Sequence, residues 1–129
     1  MKKNLLLLVI FFAFFIKAEE KSKKFSYDDY QNPSACQPCH IDISKQYKQA
    51  MMSQCYTHQW DEIEYFNLAL PHSEKDPKVA EIKEGCNGCH SPLAYLTGDI
   101  PPKPPKENTR ANESVSCDLC HTITGFIGD

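Results

Sequence analysis

Cys36-Gln37-Pro38-Cys39-His40, Cys86-Asn87-Gly88-Cys89-His90 and Cys117-Asp118-Leu119-Cys120-His121 decide the reading of this 129-residue chain. Six of its seven cysteines fall in this one frame, and each pair is followed at once by one of its five histidines. Three such placements by chance would arise on the order of once in ten thousand chains of this composition, and Cys-x-x-Cys-His is the signature of c-type haem attachment. The chemistry accounts for the spacing. Two thiols add to the two vinyl groups on one edge of a porphyrin, and a two-residue gap on a tight helical turn sets the sulfurs that far apart. The adjacent imidazole then reaches the iron from one face. Because both thioether bonds are covalent, the cofactor stays bound with little protein around it. The sequence therefore predicts three covalent haem c groups. Cys36, Cys39, Cys86, Cys89, Cys117 and Cys120 are the attachment points, and His40, His90 and His121 the proximal iron ligands. The alternatives are a redox dithiol, a zinc site built from two of the pairs, and plain disulfides. A zinc site explains paired cysteines but not a histidine directly after every pair.

Outward from these motifs, the N-terminus has the pattern of an export signal. Met1-Lys2-Lys3 precedes an unbroken apolar run from Leu5 to Ile16, followed by Lys17-Ala18-Glu19. Twelve helical residues cover about 18 Å, short of the roughly 30 Å hydrocarbon core, so no stable transmembrane anchor is expected. Cleavage is expected after Ala18, giving a signal peptide over 1–18, a linker over 19–33 and a triple-haem domain over 34–129. The protein is then periplasmic or otherwise exported. The whole chain carries 14 basic and 17 acidic residues, a net charge of −3. The leader takes three basic residues and no acid with it, so the remainder is more acidic still. This balance speaks against nucleic-acid binding.

No strand of convincing length is present, and the fold class expected is mainly α with long irregular loops. A helix is predicted after the first motif, where Ile43, Tyr47, Ala50, Met51 and Gln54 recur at spacings of three and four. A second is predicted over about 61–70, with Asp61 and Glu64 as a capping box and Pro71 as its end. Asp76-Pro77 should cap a third, short helix that Gly85 terminates. Pro101-Pro102-Lys103-Pro104-Pro105 reads as an extended polyproline spacer. About 37 residues per haem is too little chain for an ordinary core, so the macrocycles are expected to form it. Tyr47, Trp60, Tyr65, Phe66 and Tyr95 are expected to pack on them. Cys55, the odd thiol, reads as a buried free cysteine or an intermolecular bridge.

Over Ser34–Gly125 these residues resemble the multihaem c-type cytochromes, in particular the periplasmic tetrahaem family that accepts electrons from hydroxylamine oxidoreductase. Val115-Ser116-Cys117-Asp118-Leu119-Cys120-His121 is similar to that family's Gly-Val-x-Cys-Glu-x-Cys-His segment. In Gln46-Tyr47-Lys48-Gln49-Ala50-Met51-Met52, Tyr47 stands where the family has Trp and Met52 where it has His. The resemblance implies electron carriage through closely packed haems. It also implies a further haem beyond the third motif, so a chain stopping eight residues after His121 reads as C-terminally truncated.

Three proximal histidines leave His58 and His72 for the opposite faces of three irons. His58, His72 and, from its family position, Met52 are the candidate distal ligands. Met52 lies about 18 Å from His40 along a continuous helix, which bars it from the haem His40 holds and directs it to another. The function expected is electron carriage between redox partner proteins, which include other multihaem cytochromes or a missing C-terminal segment. The alternatives are a haem enzyme acting on a small nitrogen compound or peroxide at an open iron, and a fragment that needs a partner chain.

Overall fold

The computed structural model describes residues 25–125. The predicted leader lies outside them. Among the described residues the regular structure is helical, with no strand, and no helix is long and apolar enough to cross a membrane. Asn32 caps α1 (Pro33–Cys36), its side-chain oxygen accepting from the Ser34 N–H at 2.9 Å with Pro33 in the first turn. The first motif then turns directly into α2 (Ile41–Gln49), whose N-cap position is His40.

The predicted helix through Gln54 stops earlier. Ala50 is extended (ψ 146°), and Met51–Ser53 form a separate 3-10 turn. The next helix is longer than expected: α3 (Gln59–Glu62) runs without a break into a π-helical segment (Ile63–Ala69) and then α4 (Leu70–Lys75). Its cap is His58, not Asp61, and Pro71 does not end it. In an α-turn the proline ring clashes with the carbonyl four residues back. Here the preceding turn is wide, with the Leu70 N–H bonded to the Tyr65 carbonyl, and the ring is accommodated.

Asp76 caps a 3-10 turn (Pro77–Val79), accepting from the Lys78 N–H at 3.0 Å. Gly85 does not terminate a helix before the second motif: α5 (Ile82–His90) passes through it and contains the motif. α6 (Pro92–Thr97) ends at Gly98, whose φ of 73° lets the Asp99 N–H reach back to the Ala94 carbonyl at 2.9 Å. Short 3-10 turns at Pro105–Glu107 and Arg110–Glu113 lead to α7 (Cys117–His121), the third motif.

Tyr56, Ala94 and Ala111 form a small core, with Tyr27 and Phe66 against it. Tyrosine hydroxyls tie distant segments to this centre: Tyr27 donates to Asp99, Tyr56 to the Lys103 carbonyl and Tyr65 to the Lys83 carbonyl of α5, at 2.8–2.9 Å. Tyr65 and Phe66 are in edge contact at 4.9 Å, and Phe66 meets Tyr56 at 6.3 Å. Of the aromatics expected on porphyrins, Tyr65 and Phe66 thus meet edge-on, Tyr65 also lines a cleft with Cys86 and His90, and Trp60 is 69% exposed.

Packing begins before residue 34, inside the segment the sequence assigned to a linker. Tyr30 is buried, and the Arg110 guanidinium donates to the carbonyls of Tyr27 and Tyr30 while forking onto the Glu113 carboxylate at 2.6 and 3.1 Å. The proline stretch is also anchored, with Pro102 buried.

Ser114 is buried at φ 53°, ψ −132°, a conformation suited to glycine, and its Oγ accepts from the Tyr56 N–H at 3.1 Å. Ser114→Gly relieves the strain while losing the hydrogen bond, whereas Ser114→Ala loses the bond and keeps the strain. The alanine variant is expected to be less stable than the glycine variant by about 1–2 kcal/mol in urea unfolding.

Candidate functional site

Each motif lies on a single helical turn, which brings residues at i, i+3 and i+4 to one face. In the first, the His40 N–H bonds to the Cys36 carbonyl at 3.0 Å; in the second and third, the motifs close α5 and form α7. None of the seven cysteines is paired in a disulfide. A two-thiol, one-imidazole face on one turn is the donor set that covalent haem requires. Among the described residues no group of three or more His, Cys, Asp or Glu side chains converges to hold a metal ion, as a zinc site built from two pairs would need.

The first and third motifs share one cleft of about 410 Å³, within the usual range for a small-molecule or cofactor site. His40 and Cys36 line it from one side and Cys117, Cys120 and His121 from the other, with Ile43, Tyr47, Met52 and Val115 supplying apolar wall. The Arg110–Glu113 fork creates the approach by holding residues 27–30 against the segment that leads into α7. Two further bonds reinforce it: the Gln31 N–H donates to Asp118 at 2.8 Å and Asn32 to Glu113 at 2.9 Å. Burial, then the neighbouring Cys36, pushes the Cys117 thiol up.

Met52 belongs to this lining, and its carbonyl accepts from the Val115 N–H at 3.0 Å. Since α2 ends at Gln49, the continuous helix that was to separate Met52 from His40 does not exist. Met52 faces the same cleft as both His40 and His121. His58 is half-buried as the cap of α3, its Nδ1 accepting from the Trp60 N–H at 3.4 Å, and His72 is exposed on α4. Neither lines the clefts at the three motifs.

At the second motif, Cys86 stands between two clefts. One of about 500 Å³ includes Ile82 and Tyr95; the other, of about 150 Å³, includes Asp61, Tyr65, Asn87 and His90. His90 Nδ1 lies 2.8 Å from Asp61 Oδ1 and 2.7 Å from the Cys55 carbonyl oxygen. Cys55 is half-buried, its thiol pushed up chiefly by burial, and donates to the His90 carbonyl at 3.3 Å. Sequence reasoning missed Asp61 at this site because its spacing to Glu64 suggested a local capping role. Nothing in the sequence links it to a histidine 29 positions on.

The model of the family described as cytochrome c554 and c-prime matches residues 35–122, more than half of the chain. No curated protein and no solved structure matches.

The Tyr47 hydroxyl, on the cleft wall, donates to the Glu113 carbonyl at 2.9 Å, and burial is the main cause that pushes its pKa up to about 12. The unfolded phenol ionises near 10, so its contribution to stability is complete below that pH and is lost as pH rises toward 12. Between pH 10 and 12, Tyr47→Phe is expected to show a shallower fall of stability with pH. Urea unfolding across that range measures the slope.

Proposed function

The chain belongs to the cytochrome c554 and c-prime family and is a c-type cytochrome with covalently bound haem c; from this premise we propose that it is an exported carrier that passes electrons through three haems. The observation that carries the count is the occurrence of the same Cys-x-x-Cys-His turn three times, with Cys36 and His40 of one and Cys117, Cys120 and His121 of another lining one cleft. When bound, haem supplies a one-electron ferric/ferrous couple. Cys36 and Cys39, Cys86 and Cys89, and Cys117 and Cys120 hold the porphyrin edges, and His40, His90 and His121 take the proximal positions. Met52, Ile43 and Val115 supply an apolar wall against which cofactors attached to the first and third motifs would pack in one cleft. Met52, His58 and His72 are the distal candidates, with Met52 favoured by its place in that cleft. The acidic chain suits a redox partner with a basic docking patch, and docking should weaken as salt rises.

A second reading is favoured by His58 and His72 lying outside these clefts. In it the chain leaves one haem face without a protein side chain and presents it to nitrite, nitric oxide, hydroxylamine or peroxide.

The intact mass of the exported protein should exceed that of the polypeptide by three haems, and acid with organic solvent should not extract the pigment. Fewer than three covalent haems overturns the proposal. Wholly low-spin ferric spectra support the carrier, and a high-spin signal that shifts on adding cyanide supports the second reading. If Met52 is a distal ligand, Met52→Ala converts one low-spin haem to high spin, whereas unchanged spectra remove it from the candidates.

A further inference from the structure

His90 differs from His40 and His121 in its surroundings. The latter two are exposed, whereas His90 is half-buried and its Nδ1 faces two oxygen acceptors, Asp61 Oδ1 at 2.8 Å and the Cys55 carbonyl at 2.7 Å. A lone pair on Nδ1 would be repelled by both oxygens, so the proton belongs on Nδ1 and is shared between them. The neutral ring then carries its lone pair on Nε2, the nitrogen left for a metal.

The arrangement is held from several sides. Cys55 returns a bond from its thiol to the His90 carbonyl at 3.3 Å, so the two residues are reciprocally tied. The Tyr65 hydroxyl donates to the Lys83 carbonyl at 2.8 Å, which ties α5 to the π-helical segment that follows Asp61, and the buried Asn87 amide donates to the same carbonyl from within α5 at 2.7 Å. Asp61 itself sits in the first turn of α3, where a negative side chain is favoured.

We propose that Asp61 is a positioning residue for His90: with the Cys55 carbonyl it fixes the tautomer and orientation of the ring, and by drawing on the Nδ1 proton it makes Nε2 a stronger donor. This rests on the reading of Cys86–His90 as a haem site. A more basic axial ligand stabilises the ferric state, so the carboxylate lowers the reduction potential of the haem that His90 holds. The same attachment motif thereby yields a haem unlike those at the exposed His40 and His121.

The test is a potentiometric titration of the haem-loaded protein, resolved by haem, for Asp61→Leu, Asp61→Asn and Asp61→Glu. Peptide mapping confirms haem on Cys86–His90 in each. Asp61→Leu is expected to shift one haem about tenfold toward the ferrous state, a rise of about 59 mV for a one-electron couple. Asp61→Asn, which keeps an acceptor without the charge, falls between, and Asp61→Glu returns toward the native value. If the peptide carries haem and the Asp61→Leu and Asp61→Asn potentials stay native, or all haems move together, the inference is overturned alone. A haem-free Cys86–His90 peptide in the unsubstituted protein overturns the haem reading and the inference with it. Asp61→Asn and Asp61→Glu preserve the test where leucine prevents folding.

Discussion

Arg110 brings the two distant ends of the described chain to one place, and the shared cleft depends on it. Its guanidinium reaches two backbone carbonyls of residues 27–30 and forks onto Glu113, whose side chain is 7% exposed. Hydrogen bonds to a charged group contribute about 1.5–3 kcal/mol each when buried, and a bidentate fork also fixes direction. The Glu113 bond, then burial and other acids, enter the balance that raises the Arg110 pKa, so the fork stays charged. Residues 27–32 are thereby laid beside 110–118, and α1 and α7 are delivered to the two sides of one cleft.

A chain with so small a core needs such polar ties. Tyr56, Ala94 and Ala111 at its centre bury little aliphatic surface, and burial contributes only about 25 cal/mol per Å². The tyrosines fill this gap because each adds ring area and a hydroxyl that satisfies a backbone carbonyl or carboxylate. Burial drives the phenol pKa values of Tyr27, Tyr47, Tyr56 and Tyr65 upward, so these hydroxyls remain donors further into the alkaline range than a free phenol does. Apolar side chains that a larger protein would turn inward, such as Ile43 and Met52, instead line the cleft between the first and third motifs.

The motifs, the helical class and the Asp76 cap were legible because each is set by neighbours in sequence. Asp76-Pro77 caps where expected, since an Asx side chain and a fixed proline φ act within three residues. Pro71 and Gly85 were misread because the rules for them assume an α-turn in isolation. A π-turn before Pro71 removes the clash, and tertiary contacts offset the roughly 1 kcal/mol that a glycine costs inside a helix. Asp61 was assigned to a cap, whereas its partner is His90 on another helix. The end of α2 at Gln49 was equally hidden: the three-and-four spacing continues through Gln54, but the backbone turns at Ala50 and carries Met52 into the cleft.

These tertiary placements matter for function because identical motifs alone give a carrier no direction. If every haem had the same ligands, charge and exposure, electrons would distribute evenly among them, and the order of transfer would be left to docking alone. Axial donor strength, nearby charge and burial are the means by which a protein separates potentials. Here the three histidines follow the same Cys-x-x-Cys spacing yet stand in unlike settings. His40 and His121 are exposed and face a cleft with the Met52 side chain and apolar wall, while His90 is half-buried beside a carboxylate. In the proposed carrier, the repeat sets what is bound, and the single contacts that break the repeat, Met52 on one side and Asp61 on the other, set which way electrons run.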